Sequence, residues 1–382
     1  MAQVVDTALL PRLKHYGAFE VSACFQCGNC TAVCPLSGDR TNFPRRLIRY
    51  AQVGMEDRLL ADRDLWLCYS CGECTQTCPR QASPSEFMAA ARRYAVSRAD
   101  ATGLARVMYG SKLGLIAAFL AVSAAVMLLL LSRHGTMGGP RPAFFEFVPG
   151  RVVHTIGIAV LVVLALNAAA GLGVTIYRML RQTPGLRFSP RLIFAAAAYA
   201  VAESLAQSRY RGCGADQETP RWYLRPWLVH GAVLWGFLGM LAATAFDFLF
   251  KPIGSAVPPW YPARLFGTAA GLLCLAGLSV IAARRFRKAD PALTTSHFSD
   301  WFLIGLLFAV VATGLATEVA VYLPASHASY LLFLGHVVLA MDLTLLLPVT
   351  KLAHVLYRPL ALFTHRWQEL AAMHPSEAQE AA

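Results

Sequence analysis

The sequence predicts an all-α protein in two parts, a helical, cysteine-rich N-terminal domain followed by a bundle of six transmembrane helices. Composition is the first observation: the 382 residues are 56% apolar and only 15% charged, against about 25% charged in soluble domains. The deficit is uneven, since residues 1–106 carry 13 Lys+Arg and 10 Asp+Glu while residues 107–382 carry 21 and 12. Cysteine usage is the third, with eight of the ten cysteines lying between Cys24 and Cys78. Disorder and collagen-like repeats are excluded by the apolar content and the unpatterned Gly and Pro. Of the formal charge of +12, nine units lie between apolar segments, a pattern of membrane topology and not of a phosphate-binding face. Nucleic acid is therefore not an expected partner.

In the first part, Pro44 can open a helix whose Leu47, Ile48 and Ala51 fall at helical spacing. Ser85 can cap a second helix, in which Phe87, Ala90, Ala91 and Tyr94 form one apolar stripe. No segment alternates as a strand would. Spanning a hydrocarbon core takes about 20 helical residues, and six segments qualify: Leu113–Leu131, Val152–Tyr177, Trp227–Phe250, Leu265–Ala283, Trp301–Leu323 and Tyr330–Thr350. A seventh, Leu192–Ala202, is short and bracketed by Arg191 and Glu203, and reads as an interfacial or loop helix. The expected division is a cytoplasmic domain over 1–106, a membrane domain over 107–358 and a cytoplasmic tail over 359–382. With the N-terminus inside, the inner loops and tail hold 15 Lys/Arg and the outer side five. That satisfies the positive-inside rule. No export signal is seen in the first 100 residues, so both termini are expected in the cytoplasm of a bacterial or archaeal inner membrane.

The cysteines form a duplicated motif. Cys24-Phe-Gln-Cys27-Gly-Asn-Cys30-Thr-Ala-Val-Cys34-Pro35 is repeated as Cys68-Tyr-Ser-Cys71-Gly-Glu-Cys74-Thr-Gln-Thr-Cys78-Pro79. This is the spacing of a two-cluster ferredoxin, in which the fourth cysteine of each motif ligates the other cluster. One [4Fe-4S] is thus expected on Cys24, Cys27, Cys30 and Cys78, the other on Cys68, Cys71, Cys74 and Cys34. Gly28 and Gly72 let the backbone turn tightly. Structural zinc prefers separated Cys-x-x-Cys pairs and has no need of three thiolates in seven residues twice over. Cys213 and Cys274 stand apart; a lone cysteine is more often a packing residue than a ligand, and neither is assigned a role from sequence.

Histidines inside membrane spans are rare and usually functional. His336 and His354 are 18 residues apart, which is five full helical turns, so both share one face about 27 Å apart. His230 lies at the inner end of the third span, level with His354, and His154 near the outer end of the second, level with His336. Facing imidazoles at equal depth make a bis-histidine site for a b haem. The expected pairs are His230 with His354 and His154 with His336, although Met240 or no sixth ligand would also serve the outer site. His15, His134, His297, His327, His365 and His374 read as ordinary histidines.

On these residues the chain resembles a ferredoxin domain like the C subunit of heterodisulfide reductase, fused to a cytochrome b domain like the gamma subunit of respiratory nitrate reductase. That is the arrangement of the C subunit of the quinone-interacting membrane-bound oxidoreductases. The resemblance also takes in His230 through Gly239, Asp300 through Leu303, Thr313, Gly314, Glu318, Pro348, Lys351, Tyr357 and Arg358. It departs from the gamma-subunit pattern at Met240, where a second histidine would stand.

The resemblance implies an electron wire in which a membrane quinone, menaquinone or ubiquinone, exchanges electrons with two haems b and, through them, with the two clusters. It also implies soluble flavoprotein partners like the A subunit of heterodisulfide reductase and, beyond them, adenylylsulfate reductase. No nucleotide-binding Gly-rich turn is present, so flavin and substrate chemistry are expected in other chains. A quinol-linked heterodisulfide reductase or another dehydrogenase anchor is the nearest alternative. A transporter or redox-sensing anchor is a more distant one, with no discontinuous repeat-related spans in its favour. For quinone chemistry, Glu318 on the fifth span is the expected proton-handling residue and Asp342 on the sixth the second candidate, because buried carboxyls can trade protons near neutral pH. The alternative for Glu318 is a helix-end ion pair.

Overall fold

The structure, a computed structural model, describes residues 4–38, 42–183, 188–213, 219, 221–250, 257–289, 293 and 295–373. It is all-α, with no strand among the described residues. Six helices are long and apolar enough to cross a membrane: Lys112–Leu131, Gly150–Arg181, Pro226–Phe250, Pro262–Phe286, Phe298–Ala320 and His327–Val349, here spans 1 to 6. They match the six expected segments. Span 2 has 32 residues and so rises about 48 Å, well beyond a hydrocarbon core of about 30 Å. Its basic end, with Arg178 and Arg181, therefore projects to meet the N-terminal domain.

Span 6 is the central element. It packs against spans 1, 2 and 5, and half of its apolar window is buried, against 11–28% for the others. The remaining spans turn side chains such as Leu120, Leu161, Leu166, Leu249 and Leu272 outwards, where only lipid would spare them contact with water. Spans 3 and 4 approach closely through small residues. A Cβ on Gly236 would stand 2.7 Å from the Ala270 carbonyl oxygen, and one on Gly277 would stand 2.8 Å from the Val233 side chain.

In the N-terminal domain, the helix Arg45–Gln52 follows Pro44 and buries Leu47, Ile48 and Ala51. The helix Pro84–Ala99 buries Phe87, Ala90, Ala91 and Tyr94, the expected stripe. Its cap differs from the expectation. Pro84 takes the first helical position with Ser83 ahead of it in the left-handed region, so Ser85 falls inside the first turn and its hydroxyl pairs with Thr75 Oγ1 at 2.6 Å.

This domain does not have a core of its own. One continuous apolar cluster runs from Leu47, Trp66 and Phe87 into Met179 of span 2, Leu346 and Val349 at the end of span 6, and Ala353, Tyr357 and Ala361 beyond it. Trp66 stacks on Tyr357 with ring centroids 4.6 Å apart and planes at 18°. Residues 354–372 form a helix that packs on a second helix outside the spans, Pro190–Ala206. The latter contains the Leu192–Ala202 segment.

The contact between spans 3 and 4 is testable. Gly236→Ala puts a methyl against backbone atoms that cannot swing away, so we expect a loss of about 1–3 kcal/mol and a lower melting temperature of the detergent-solubilised protein. Gly173→Ala, where no atom lies within 4 Å, should leave the melting temperature unchanged or slightly raised.

Candidate cofactor site

The two cysteine motifs repeat one backbone path. Gly28 and Gly72 have φ of 95° and 91°, and the residues two positions ahead of them, Gln26 and Ser70, are left-handed as well, at 65° and 56°. Each pair of left-handed residues folds the chain back so that three thiols converge. The glycines are readable from sequence; the strained Gln26 and Ser70 are not.

The thiols assemble across the motifs. Cys24, Cys27 and Cys30 lie within electrostatic reach of one another and of Cys78, and Cys34 lies with Cys68, Cys71 and Cys74. Burial pushes the Cys24 and Cys30 thiols up, Cys34 up to about 12, and Cys74 upwards as well. Four thiols gathered in a low dielectric cannot ionise together without a compensating cation, so an all-sulfur donor set of this kind suits an iron–sulfur cluster. Among the described residues no three His, Cys, Asp or Glu side chains converge tightly enough to hold a single metal ion. Backbone amides point at the sulfurs: Ser70 N–H donates to Cys68 Sγ at 3.3 Å and Ala82 N–H to Cys78 Sγ at 3.4 Å.

Cys71 is the exception among these thiols. A hydrogen bond from Cys213 favours its thiolate and lowers it from the ordinary thiol range. Cys213, unassigned from sequence, is buried and lines the same pocket as Cys34, Cys68, Cys71 and Cys74. Cys274 is a packing residue, buried where span 4 meets Gly236.

The structure brings His230 and His354 together, with ring centroids 6.2 Å apart. The Nδ1 of His230 faces Gln207 Oε1 at 2.9 Å and that of His354 faces the Lys351 carbonyl at 2.8 Å. Both acceptors fix the ring proton on Nδ1, which leaves both Nε2 atoms as free ligands. Burial, with His230 beside it, holds His354 down at about 3, in the neutral form that binds metal. The pair lines a cavity of about 330 Å³ that Cys68 and Cys71 line as well.

Cations surround this cavity. Arg92 donates to the carbonyls of Leu65 and Cys68, and Arg358 donates to the Leu67 carbonyl and covers the Tyr69 ring at 3.5 Å. Tyr69 also stacks on Tyr210, centroids 5.0 Å apart, and donates to the buried Glu203 at 2.9 Å. Asp300, buried in the cavity wall, accepts from Lys351 at 2.7 Å and Arg285 at 3.2 Å. Sequence reasoning missed Gln207 and Arg92, which belong to no motif, and Tyr69, which lies inside the second cysteine motif but is not one of its thiols.

At the far end of the bundle the candidates do not converge in the same way. His336 Nδ1 pairs with Thr313 Oγ1 at 3.1 Å, over Gly314. His154 packs on Phe248, and among the described residues no ring contact joins it to His336. Met240 lies against Gly271 of span 4. Glu318 is joined to the Thr268 hydroxyl at 2.9 Å, and among the described residues no ion pair reaches it. Asp342, fully buried, accepts from Ser123 of span 1 through one oxygen, and its other oxygen has no partner. Glu318 thus faces span 4 and Asp342 faces span 1, on different sides of the bundle.

Fold and site together define a multi-pass membrane protein with a two-motif iron–sulfur domain welded to one end. The chain belongs to the citrate utilization protein B family, whose model matches residues 103–376, and a 4Fe-4S dicluster domain matches residues 20–82. The N-terminal part is 41% identical over 64 residues to the C subunit of the H(2):CoB-CoM heterodisulfide,ferredoxin reductase of Methanothermobacter marburgensis, covering 16% of this chain and 34% of that protein. It is also 41% identical over 58 residues to the iron-sulfur C subunit of the CoB--CoM heterodisulfide reductase of Methanopyrus kandleri, 15% of this chain and 30% of that one. The chain thus spans about a third of the length of the curated relatives it matches. No solved structure matches it.

Asp300 carries a stability prediction. Asp300→Asn leaves the buried Arg285 without its counter-charge, which costs about 3 kcal/mol, while the half-exposed Lys351 is screened by solvent and adds little. Thermal unfolding of the solubilised protein should fall accordingly. An unchanged melting temperature would mean that the two cations find other partners.

Proposed function

We propose that this chain is the membrane-embedded electron-transfer subunit of a quinone-linked oxidoreductase, with [4Fe-4S] clusters on Cys24, Cys27, Cys30 and Cys78 and on Cys34, Cys68, Cys71 and Cys74. The observation that carries this reading is the shared cavity, lined both by Cys68 and Cys71 of the second motif and by the His230–His354 pair. A b haem on that pair is supported by the spacing of the rings. The ring centroids lie 6.2 Å apart and each Nδ1 is already hydrogen-bonded, so the two Nε2 atoms would be the ones to hold the group. A second haem would use His336, with His154, Met240 or no protein ligand opposite it. When bound, these groups supply reversible one-electron chemistry.

The chain's own residues prepare the path. Arg92 and Arg358 bring positive charge next to the second motif, which favours an electron arriving there. Tyr69, between Tyr210 and the Arg358 guanidinium, fills the space towards His230 and keeps water out. Tyr210 in turn meets the His230 ring edge-on, centroids 6.2 Å apart. Gln207 and the Lys351 carbonyl hold the two imidazoles in register. Glu318 is the proton-handling residue of a quinone site at the far end, with Asp342 as the second candidate.

The soluble end, with both termini, faces the cytoplasm of a bacterial or archaeal inner membrane. Flavoprotein partners like the A subunit of heterodisulfide reductase would connect it to adenylylsulfate reductase. A second reading is favoured by the family match over 103–376: the partner is a dehydrogenase step of citrate utilization, and the same wire carries its electrons to quinone. Co-purification of the native complex, followed by identification of the soluble partner, separates the two.

The purified protein should contain about eight non-haem irons per chain and show a b-type reduced-minus-oxidised spectrum. His230→Ala and His354→Ala should each remove the same haem. Retention of the full spectrum in His230→Ala would rule out the inner site. A reporter fused after Ala382 should be active in the cytoplasm, whereas one inserted between Ser132 and Gly150 should be active outside.

A further inference from the structure

The cavity beside the His230–His354 pair carries more positive charge than the chain itself balances. Six basic residues line it, Arg92, Arg93, Arg284, Arg285, Lys351 and Arg358, against two acidic ones, Glu86 and Asp300. Gathering like charges away from water is costly unless anions meet them. Arg92 and Arg358 are bonded to the carbonyls of Leu65, Leu67 and Cys68, next to the second thiol group, where a cluster held by four thiolates is itself negative. Four basic residues then face two carboxylates. The wall lacks two negative charges.

Two of the four are tied back into the protein. Arg93, 6% exposed, donates through Nε to the Tyr16 carbonyl at 2.8 Å, and Arg284 donates to the Leu224 carbonyl at 2.7 Å. Arg285 differs. It donates through Nη1 to Ser296 Oγ at 2.7 Å and to Asp300 at 3.2 Å, yet its Nε–H is buried without an acceptor in a side chain only 9% exposed. An unmade bond from a buried charged donor costs more than a made one contributes. Lys351 takes the other oxygen of Asp300 at 2.7 Å, and among the described residues its ammonium makes no second hydrogen bond, although it has three to give. One carboxylate thus holds both cations side by side. The Lys351 carbonyl meanwhile faces His354 Nδ1 at 2.8 Å, so this cationic edge is joined to the imidazole pair through a single residue.

We infer that Arg285 and Lys351, held together by Asp300, bind the two carboxylates of the porphyrin whose iron His230 and His354 ligate. This rests on the haem reading of that pair. A b-type porphyrin brings two propionates, both ionised at neutral pH, and they supply the two charges that the wall lacks. Guanidinium and ammonium groups are the donors that form charge-assisted bonds with such carboxylates. Asp300 is a positioning residue, acting through the two cations it holds. A free anion such as inorganic phosphate has the same charge chemistry, and the experiment separates the two.

The test compares two porphyrins on the full-length solubilised chain, isolated from haem-deficient cells with its non-haem iron counted. Haem b and its dimethyl ester share iron and ring and differ in their carboxylates. Each is titrated in and followed by its Soret band, with His354→Ala as the blank for any other site. We expect the wild type to bind haem b at least about tenfold more tightly than the ester. Arg285→Gln and Lys351→Gln should each weaken haem b and leave the affinity for the ester unchanged, and Arg285→Lys should keep part of the difference. Equal affinity of the wild type for the two porphyrins would overturn the proposal. So would an equal loss of both in the variants, which is the mark of a structural role, or a melting temperature raised by inorganic phosphate in the wild type with no preference between the porphyrins. A wild type indistinguishable from the His354→Ala blank would instead sink the haem reading itself.

Discussion

The arrangement depends on the stacking of Trp66 against Tyr357 and the apolar cluster around it. Trp66 precedes the second cysteine motif by two residues, and Tyr357 follows His354 by three, so this one contact fixes the distance between thiols and imidazoles. Both rings are nearly fully buried. Burial of two such side chains, with the aromatic contact itself, contributes several kcal/mol, enough to hold a small domain that has no separate core against the end of a helical bundle.

Electrostatics then acts inside a frame that packing has already set. Arg92, Arg285, Lys351 and Arg358 converge on one cavity, with Asp300 between two of them. Taking so many charges out of water is costly. The cost is offset because the guanidiniums of Arg92 and Arg358 find backbone carbonyls of Leu65, Leu67 and Cys68, so each cation is held by hydrogen bonds even without an anion facing it. The Arg358 bond to Leu67 also tethers the chain just ahead of the second motif to the helix that begins at His354.

Much of this was legible in the residues. Six spans follow from hydropathy alone, and the stripe Phe87, Ala90, Ala91, Tyr94 is buried as its spacing demands. The pairing of His230 with His354 was expected from depth, but the one continuous helix that was to carry both His336 and His354 is not formed: span 6 ends at Val349, Thr350 is extended at φ −105° and ψ −177°, and His354 opens a separate helix outside the spans, so the two histidines share no helical face. The depth argument carried less at the other end. There, rotation about each helix axis decides which side chains meet, and single-sequence periodicity in a uniformly apolar span does not record rotation. His154 accordingly meets Phe248, and Glu318 and Asp342 face different neighbours. The turn 203–213 was invisible for another reason: its role comes from a left-handed Gln207 and from contacts 134 residues apart in sequence, such as Tyr69 to Glu203.

The shared core also fixes an order of assembly. Leu346, Val349, Tyr357 and Ala361 belong to the same apolar cluster as Leu47 and Phe87, so the first hundred residues leave the ribosome with part of their interior still unsynthesised. Domains usually fold as units in the order of their synthesis, but the part of this interior that Leu346, Val349, Tyr357 and Ala361 supply is completed only with the last span. Cluster loading and membrane insertion become steps of one maturation sequence, and a chain truncated before residue 346 would expose an apolar face to the chaperones and proteases that survey unfinished proteins.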